Sequence, residues 1–368
     1  MEAKKIVLFG ATGSIGTSTL QVIRSNPEKL KLVGIANGSQ AKALDEIGDE
    51  FQVKHRVCYE RDGKQALMDL AVLPEADILV MAATGVIGLE PTLAAIHARK
   101  TIALASKEIL VMAGRFVMES ARQKGVKILP VDSEHNAIFQ CLQGSTGKDI
   151  RRLILTASGG AFRDMDYEAM KSVTPEQALK HPNWNMGPKI TVDSASMANK
   201  GLEMIEAHWL FAVEPDQICA VIHPQSIVHS MVEYIDGSIL AQLSPPSMTF
   251  PIQHSLLYPE RHPGVLKTLD FSQLLSLSFL PPDETKFPCL RLARETMHAG
   301  GTAGAVYNAA NEVAVARFLN DRLKFTDIAS CIEHALEQAH IKEPENLEEL
   351  IEVDKLTRQT TEAFASAR

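Results

Sequence analysis

The chain has 368 residues, 45% of them hydrophobic, which is enough for two or three domains with cores of their own. A net charge of -8 argues against a general nucleic-acid binder, and no apolar run is long enough to span a membrane. The five cysteines (Cys58, Cys141, Cys219, Cys289 and Cys331) are odd in number and never form a CxxC pair, so reduced thiols in a cytoplasm are expected and a soft metal site is not.

The N-terminus runs straight into a strand, Lys5 to Phe9, with no secretory pattern ahead of it. The strand enters Gly10-Ala11-Thr12-Gly13-Ser14-Ile15-Gly16, and Thr17 to Arg24 then shows helical spacing. A strand, a glycine turn and a helix in that order form a dinucleotide-binding arrangement. The glycines admit a pyrophosphate, and the helix N-terminus supplies N–H donors. The spacing is GxxGxxG, a variant of the usual pattern. The second strand, Leu32 to Ala36, ends in Asn37-Gly38-Ser39-Gln40, with Lys42 beyond. No carboxylate follows it to hold a ribose hydroxyl, so NADP(H) is expected rather than NAD.

The alternation continues with a strand at Ala76 to Ala82, a helix at Leu89 to Ala98 and a strand at Thr101 to Ala105. Ser106-Lys107-Glu108 follow, then a helix from Ile109 to Gln123. A lysine at a helix start opposes the helix dipole, so Lys107 points to a ligand-facing role at the strand ends. Val126 to Leu129 reads as a buried strand leading into Pro130-Val131-Asp132-Ser133-Glu134-His135-Asn136. Side chains two apart on a strand share a face, so Asp132 and Glu134 can point at one object and hold one hard cation or share a proton. The competing reading is a surface turn that caps a helix.

Beyond residue 150 the pattern changes. Arg151 to Thr156 reads as a strand ending in Ser158-Gly159-Gly160, a candidate anion-binding turn. Thr174-Pro175-Glu176-Gln177 reads as a capped helix start. Lys180 to Lys189, with His181 and Trp184, reads as a loop that closes over a ligand, its indole exposed until it does so. Between Thr191 and Glu203, Ser194, Ser196, Asn199 and Lys200 offer phosphate contacts. On a helix Asn199 and Glu203 share a face, and Glu203 supplies a third carboxylate, unless Glu203 and Glu206 form a solvated stripe. Ser226 to Tyr234 and Ser238 to Leu243 read as a hairpin with a type I′ turn at Asp236-Gly237, and His223 and His229 as structural histidines of that sheet. Ser244 to Pro263 and Pro281-Pro282 read as a connection. Helices follow at Pro288 to His298, Ala303 to Leu319, Thr326 to Gln338 and from Asn346 onward.

The expected fold class is α/β. An N-terminal Rossmann-like NADP-binding domain spans 1–123, and a central α/β catalytic domain with a mixed sheet spans 124–257, carrying the lid at 180–189. A linker at 258–284 leads to a C-terminal helical bundle at 285–368. The motifs GATGSIG, ASKE, PVDSEHNAIFQ, ASGGAF, HPNWNMG, VDSASMANKGLEMIEAHWLF, HPQSIVHSMV and NAANEVAVARFL run in order through nearly the whole chain. In them the sequence resembles the 1-deoxy-D-xylulose 5-phosphate reductoisomerases, NADPH- and metal-dependent enzymes of the non-mevalonate isoprenoid pathway.

The resemblance implies Mg²⁺ or Mn²⁺ on Asp132, Glu134 and Glu203. It implies substrate contacts from Lys107, Ser133, Glu134, Ser158, His181, Trp184, Ser194, Asn199, Lys200 and Glu203, with Lys107 and His181 joining the three carboxylates as catalytic candidates. Cofactor contacts are implied for Thr12, Gly13, Ser14, Ile15, Gly38, Ser39, Gln40, Ser106, Glu108 and Gly187. Two positions depart from the family pattern: Ser106 stands where many members have asparagine, and Ser39 where a lysine often stands. A homodimer through the central domain is expected, because the hairpin ends a sheet and such edges are usually covered. Two rival readings are a metal-independent NADP-dependent dehydrogenase of a phosphorylated polyol or semialdehyde, and a non-catalytic NADP-sensing module.

Overall fold

The computed structural model describes residues 2–145, 147–184, 186–272 and 276–368. Asn185 of the expected lid and residues 273–275 of the expected linker lie outside these. The chain divides into two compact units, and each draws on separate stretches of sequence.

The first unit comprises Met1–Ile109, Arg115–Phe139 and Ser247–Asp270. Its strands are β1 (Lys4–Phe9), β2 (Leu30–Asn37), β3 (His55–Cys58), β4 (Ile78–Met81), β5 (Thr101–Leu104) and β6 (Ile128–Pro130). They form one sheet in the order β3-β2-β1-β4-β5-β6, with every neighbouring pair parallel. β4 is buried along its whole length and β1 from Ile6 onward, as expected when helices cover both faces of a parallel sheet. The strand order reverses between β1 and β4, so the ligand crevice of such a sheet belongs at the ends of those two strands.

The second unit comprises Leu110–Gly114, Gln140–Pro246 and Phe271–Arg368. Its strands are β7 (Ile150–Ala157), β8 (Ile218–Ile222), β9 (Val228–Tyr234) and β10 (Ile239–Leu243), in the order β10-β9-β7-β8. β8 runs parallel to β7, and β9 runs antiparallel to both β7 and β10, so the sheet is mixed. Helices Pro288–Ala299, Ala303–Leu319, Asp327–Gln338 and Leu347–Ser366 occupy the stretch expected to be helical. Helix Ala303–Leu319 is buried nearly all round, from Ala303 through Val315, which makes it the central element of that group.

Four expectations need correction. The limits 1–123, 124–257, 258–284 and 285–368 treat each domain as continuous, whereas both units are assembled from interleaved segments. The stretch Ser244 to Pro263 is not merely a connection. It contains helix Thr249–Leu257, whose Ile252, Leu256 and Leu257 join the core of the first unit with Ile6, Leu8 and Ile35. Its prolines misled because one of them, Pro251, sits in the first turn, where no helical N–H is needed. The β9–β10 turn has positive φ at Gly237 alone (φ 84) and not at Asp236, and Gly237 N donates to Tyr234 O over 3.0 Å. That is a three-residue loop with a glycine bulge rather than a type I′ turn. Finally, Glu134 is not on a strand, because helix Ser133–Cys141 begins three residues after β6 ends at Pro130.

Candidate functional site

In the first unit the glycine turn is shaped by contact. Gly10 has φ +80, and a Cβ there would lie 2.3 Å from the carbonyl oxygen of Ala82, at the end of β4. A Cβ on Gly16 would lie 2.2 Å from Gly10 O, so the helix packs directly on the turn. Gly13, by contrast, is exposed and caps helix Ser14–Ser25, leaving its first amides open to a ligand. Beside it lies a cleft of about 210 Å³ whose lining includes Thr12, Gly13, Asn37, Gly38, Tyr59 and Thr84. Asn37 Nδ2 donates to Gln40 O over 2.7 Å and so fixes the turn after β2, where Ser39 and Gln40 are exposed. The cleft and the open helix N-terminus fit a dinucleotide, with no acidic side chain between Asn37 and Gln40 to repel a 2′-phosphate. Ile15 is partly buried and packs against the core. Ser106 is buried, and its hydroxyl turns onto the backbone carbonyls of Met81 and Ala83, tying the end of β4 to the end of β5. Glu108 opens helix Glu108–Lys124.

At the ends of β5 and β6, Lys107 Nζ meets Asp132 Oδ2 at 2.7 Å. Asp132 Oδ1 accepts from Glu134 N at 3.2 Å and lies 3.3 Å from His135 Nδ1. Burial alone would raise the Asp132 pKa, but the charges and hydrogen bonds of Lys107 and His135 outweigh it and hold the carboxyl well below its usual range. Glu134, in the first turn of the helix, accepts from Ser133 Oγ at 2.6 Å. Asp132 therefore does cap a helix, since its carbonyl accepts from Asn136 N at 2.9 Å, and it presents an ionised carboxylate at the same time. An all-oxygen pair at a helix N-terminus fits a hard divalent cation.

In the second unit, His181 Nε2 lies 3.0 Å from Ser158 Oγ and 3.1 Å from Ser194 Oγ. Its Nδ1 accepts from two backbone donors, Asn183 N at 3.1 Å and Trp184 N at 3.0 Å. A nitrogen that accepts twice carries no proton, so the proton sits on Nε2 and faces the two serines. Burial pushes the His181 pKa down to about 4, so the ring is neutral near pH 7.

Helices Pro188–Ala195 and Ala198–Phe211 flank Met197, which has φ 62. On the second of these, Lys200 and Glu203 are 3% and 1% exposed, and Lys200 Nζ pairs with Glu203 Oε2 while Asn199 Nδ2 donates to Oε1. The solvated-stripe reading fails here, because Glu206 is as buried as Glu203. Gly187 is exposed and caps helix Pro188–Ala195.

The expected lid behaves differently from its composition. Trp184 is half-buried and edge-on to the His229 ring at 6.2 Å, rather than exposed. Asn183 Nδ2 donates to Pro224 O and Ser226 Oγ, each at 2.7 Å. His181 is thus bonded to the serines already and needs no closure to reach them. His223 and His229 are satisfied within the sheet, as expected: His223 Nε2 accepts from Val228 N at 3.1 Å, and His229 Nε2 lies 3.2 Å from Ser244 O. Tyr59 was missed, because β3 before it is only four residues long and half polar.

Three comparisons bear on this geometry. The 1-deoxy-D-xylulose 5-phosphate reductoisomerase family matches residues 6–62 and 58–114, its C-terminal domain matches 128–211, and the DXP reductoisomerase C-terminal domain matches 243–360. The 1-deoxy-D-xylulose 5-phosphate reductoisomerase of Chlorobium phaeovibrioides is 48% identical, over 99% of this chain and 100% of its own length. Among solved structures, the reductoisomerase of Zymomonas mobilis in complex with NADPH superposes with a TM-score of 0.93 at 40% identity, over 100% of both chains. A DOX-P reductoisomerase in complex with NADPH, fosmidomycin and magnesium gives 0.93 at 40% identity over 98% of each. The fold, the strand-end clusters and these matches agree: the chain belongs to the 1-deoxy-D-xylulose 5-phosphate reductoisomerase family.

Proposed function

We infer that the protein isomerises and reduces 1-deoxy-D-xylulose 5-phosphate to 2-C-methyl-D-erythritol 4-phosphate, using NADPH and a divalent cation. The observation that carries this reading is a pair of largely desolvated carboxylates, Asp132 and Glu203, each paired with a lysine, in a chain of this family. Asp132, Glu134 and Glu203 are the residues we assign to Mg²⁺ or Mn²⁺. The cation, when bound, supplies Lewis-acid polarisation of the substrate's carbonyl and hydroxyl oxygens. NADPH, when bound at the glycine turn, supplies the hydride.

The remaining work falls to side chains. Neutral His181 donates from Nε2 to the Ser158 and Ser194 oxygens, which leaves both hydroxyl protons available for a phosphate oxygen. Asn199 and Lys200 add an amide donor and a point charge to that phosphate, and Lys107 lies beside the reacting end through Asp132. Anchoring the phosphate lets binding energy far from the reacting carbons orient them. Trp184 covers the bound sugar and excludes water. The deciding assay is NADPH oxidation with 1-deoxy-D-xylulose 5-phosphate, with and without EDTA. Turnover that survives chelation would instead identify a metal-independent dehydrogenase.

We propose also that the protein is a homodimer. β10 ends its sheet with Ile239, Leu240 and Leu243 exposed, and Ile235 in the adjoining turn is 67% exposed, an apolar edge that a second copy would cover. Light scattering at micromolar concentration checks this, and a 40.2 kDa particle would reject it. A cytoplasmic location fits the five free cysteines, and cell fractionation tests it. No helix among the described residues is long and apolar enough to cross a membrane.

A further inference from the structure

Asp193 is 1% exposed and Asn311 is fully buried, yet they meet across 118 residues of sequence, with Asn311 Nδ2 donating to Asp193 Oδ1 over 2.8 Å. The other oxygen, Asp193 Oδ2, takes Lys189 Nζ at 3.0 Å, one turn earlier on the same helix. Asn311 gains little from this itself, because its own Oδ1 is buried with no partner among the described residues. A buried carboxylate destabilises a fold unless donors hold it, and an apolar pair would pack as well. The pair therefore calls for a purpose beyond packing.

That purpose follows from its position. Asp193 immediately precedes Ser194 in helix Pro188–Ala195. Neighbouring helical side chains point roughly 100° apart, so Asp193 faces helix Ala303–Leu319 while Ser194 faces His181. The backbone at Ser194 is pressed from another side by the Ser158 turn, where a Cβ on Gly160 would lie 2.4 Å from Ser194 O. The helix is only eight residues long, and a small rotation would carry Ser194 Oγ out of reach of His181 Nε2.

We propose that Asn311 is a positioning residue for the reaction: through Asp193 it fixes the rotation of helix Pro188–Ala195 and so aims the Ser194 hydroxyl at the substrate phosphate. This rests on the assignment of Ser194 as a phosphate donor. The C-terminal helices thereby set substrate affinity through the orientation of the phosphate donor.

The test measures KM for 1-deoxy-D-xylulose 5-phosphate, kcat, NADPH affinity and melting temperature in holoenzyme variants. Asn311→Leu keeps the branching and heavy-atom count and removes the donor. Asn311→Asp sets two carboxylates together, and the double exchange Asp193→Asn with Asn311→Asp restores one carboxylate and one amide. KM should rise about tenfold in each single variant, with kcat and NADPH affinity less affected, and the exchange should recover most of the loss. A KM within about twofold of the parent in Asn311→Asp, or an exchange no better than Asn311→Asp alone, overturns the proposal. If the single variants do not fold, the exchange alone decides: it must fold with a KM within about threefold of the parent, and a tenfold rise overturns the idea. Ser194→Ala separates the two layers. If it raises KM while the Asn311 variants do not, only the positioning role fails, whereas if it leaves KM unchanged, the phosphate assignment fails and takes the positioning role with it.

Discussion

The two buried lysine–carboxylate pairs, one in each unit, are built by opposite routes. Lys200 and Glu203 sit at i, i+3 on one helix, so helical periodicity alone brings them together. Lys107 and Asp132 are 25 residues apart and meet because β5 and β6 are neighbours in the sheet, each residue lying just past the end of its strand. The first pair survives anything that keeps the helix. The second reports on the register of two strands. Both are desolvated, unlike exposed pairs such as Lys171–Glu168, and breaking either strands a buried charge.

The largest effect should come from the carboxylates. Asp132→Asn and Glu203→Gln should each lower kcat by about 10³-fold while leaving NADPH binding largely intact, if local and topological construction serve one cation. Near-normal turnover of either variant at low Mg²⁺ would break the equivalence. Next come the lysines. Lys107→Met and Lys200→Met should each cost about 3 kcal/mol in urea unfolding, because the partner carboxylate stays desolvated and loses its cation. A loss below about 1 kcal/mol in only one of them would show that its carboxylate finds another donor.

Acid sharpens the comparison further. Burial lowers the pKa of His181, His229 and His254 to about 4, from an ordinary imidazole value of 6.5. The unfolded chain therefore takes up protons first as the pH falls, and stability should decline between pH 6.5 and about 4, then level off. The slope is about 1 kcal/mol per pH unit for a fully buried ring, and His229, at 5% exposure, contributes most. Asp132, whose pKa is depressed, adds its loss only below the ordinary aspartate value of 3.8. Melting temperature followed from pH 7 to 3 should thus fall in two stages, and His229→Gln should flatten the first. The smallest effect belongs to Ser39, exposed after β2: Ser39→Lys should tighten NADPH about threefold and Ser39→Asp weaken it comparably, with NADH unaffected. Equal changes for both cofactors would remove Ser39 from the 2′-phosphate.

What the sequence made legible follows the same division. The glycine turn, the β–α alternation and the helical patterns at Ala303–Leu319 and Asn199–Glu203 are local signals, and each holds in the structure. The pairings that cross the chain were not legible. Nothing near Asn136 announces that its Nδ2 reaches Ser255 Oγ at 3.0 Å, nor anything near Asp193 that its partner is Asn311. Glu134 was placed on the right rim for the wrong reason, because a strand of alternating residues and a helix first turn both bring residues two apart near one point. Trp184 was misjudged because composition counts apolar residues in a loop and cannot see the hydrogen bonds that pin it to Pro224 and Ser226.

Helix Thr249–Leu257 gives the first unit a timetable. Ile252, Leu256 and Leu257 complete the apolar cluster under a sheet whose last strand ends at Pro130. On the ribosome, at about 5–20 residues per second, the nucleotide-binding sheet is translated well before the segment that seals it, so for several seconds its core stays open on one side. Domains commonly fold in order of synthesis. Here the N-terminal unit must wait while much of the second is made, and that interval is when a nascent chain most needs a chaperone. We expect a fragment ending at Pro246 to bind a hydrophobic dye strongly and to lose it when a peptide spanning 247–270 is added. A fragment that ignores both dye and peptide would show that the sheet closes on its own.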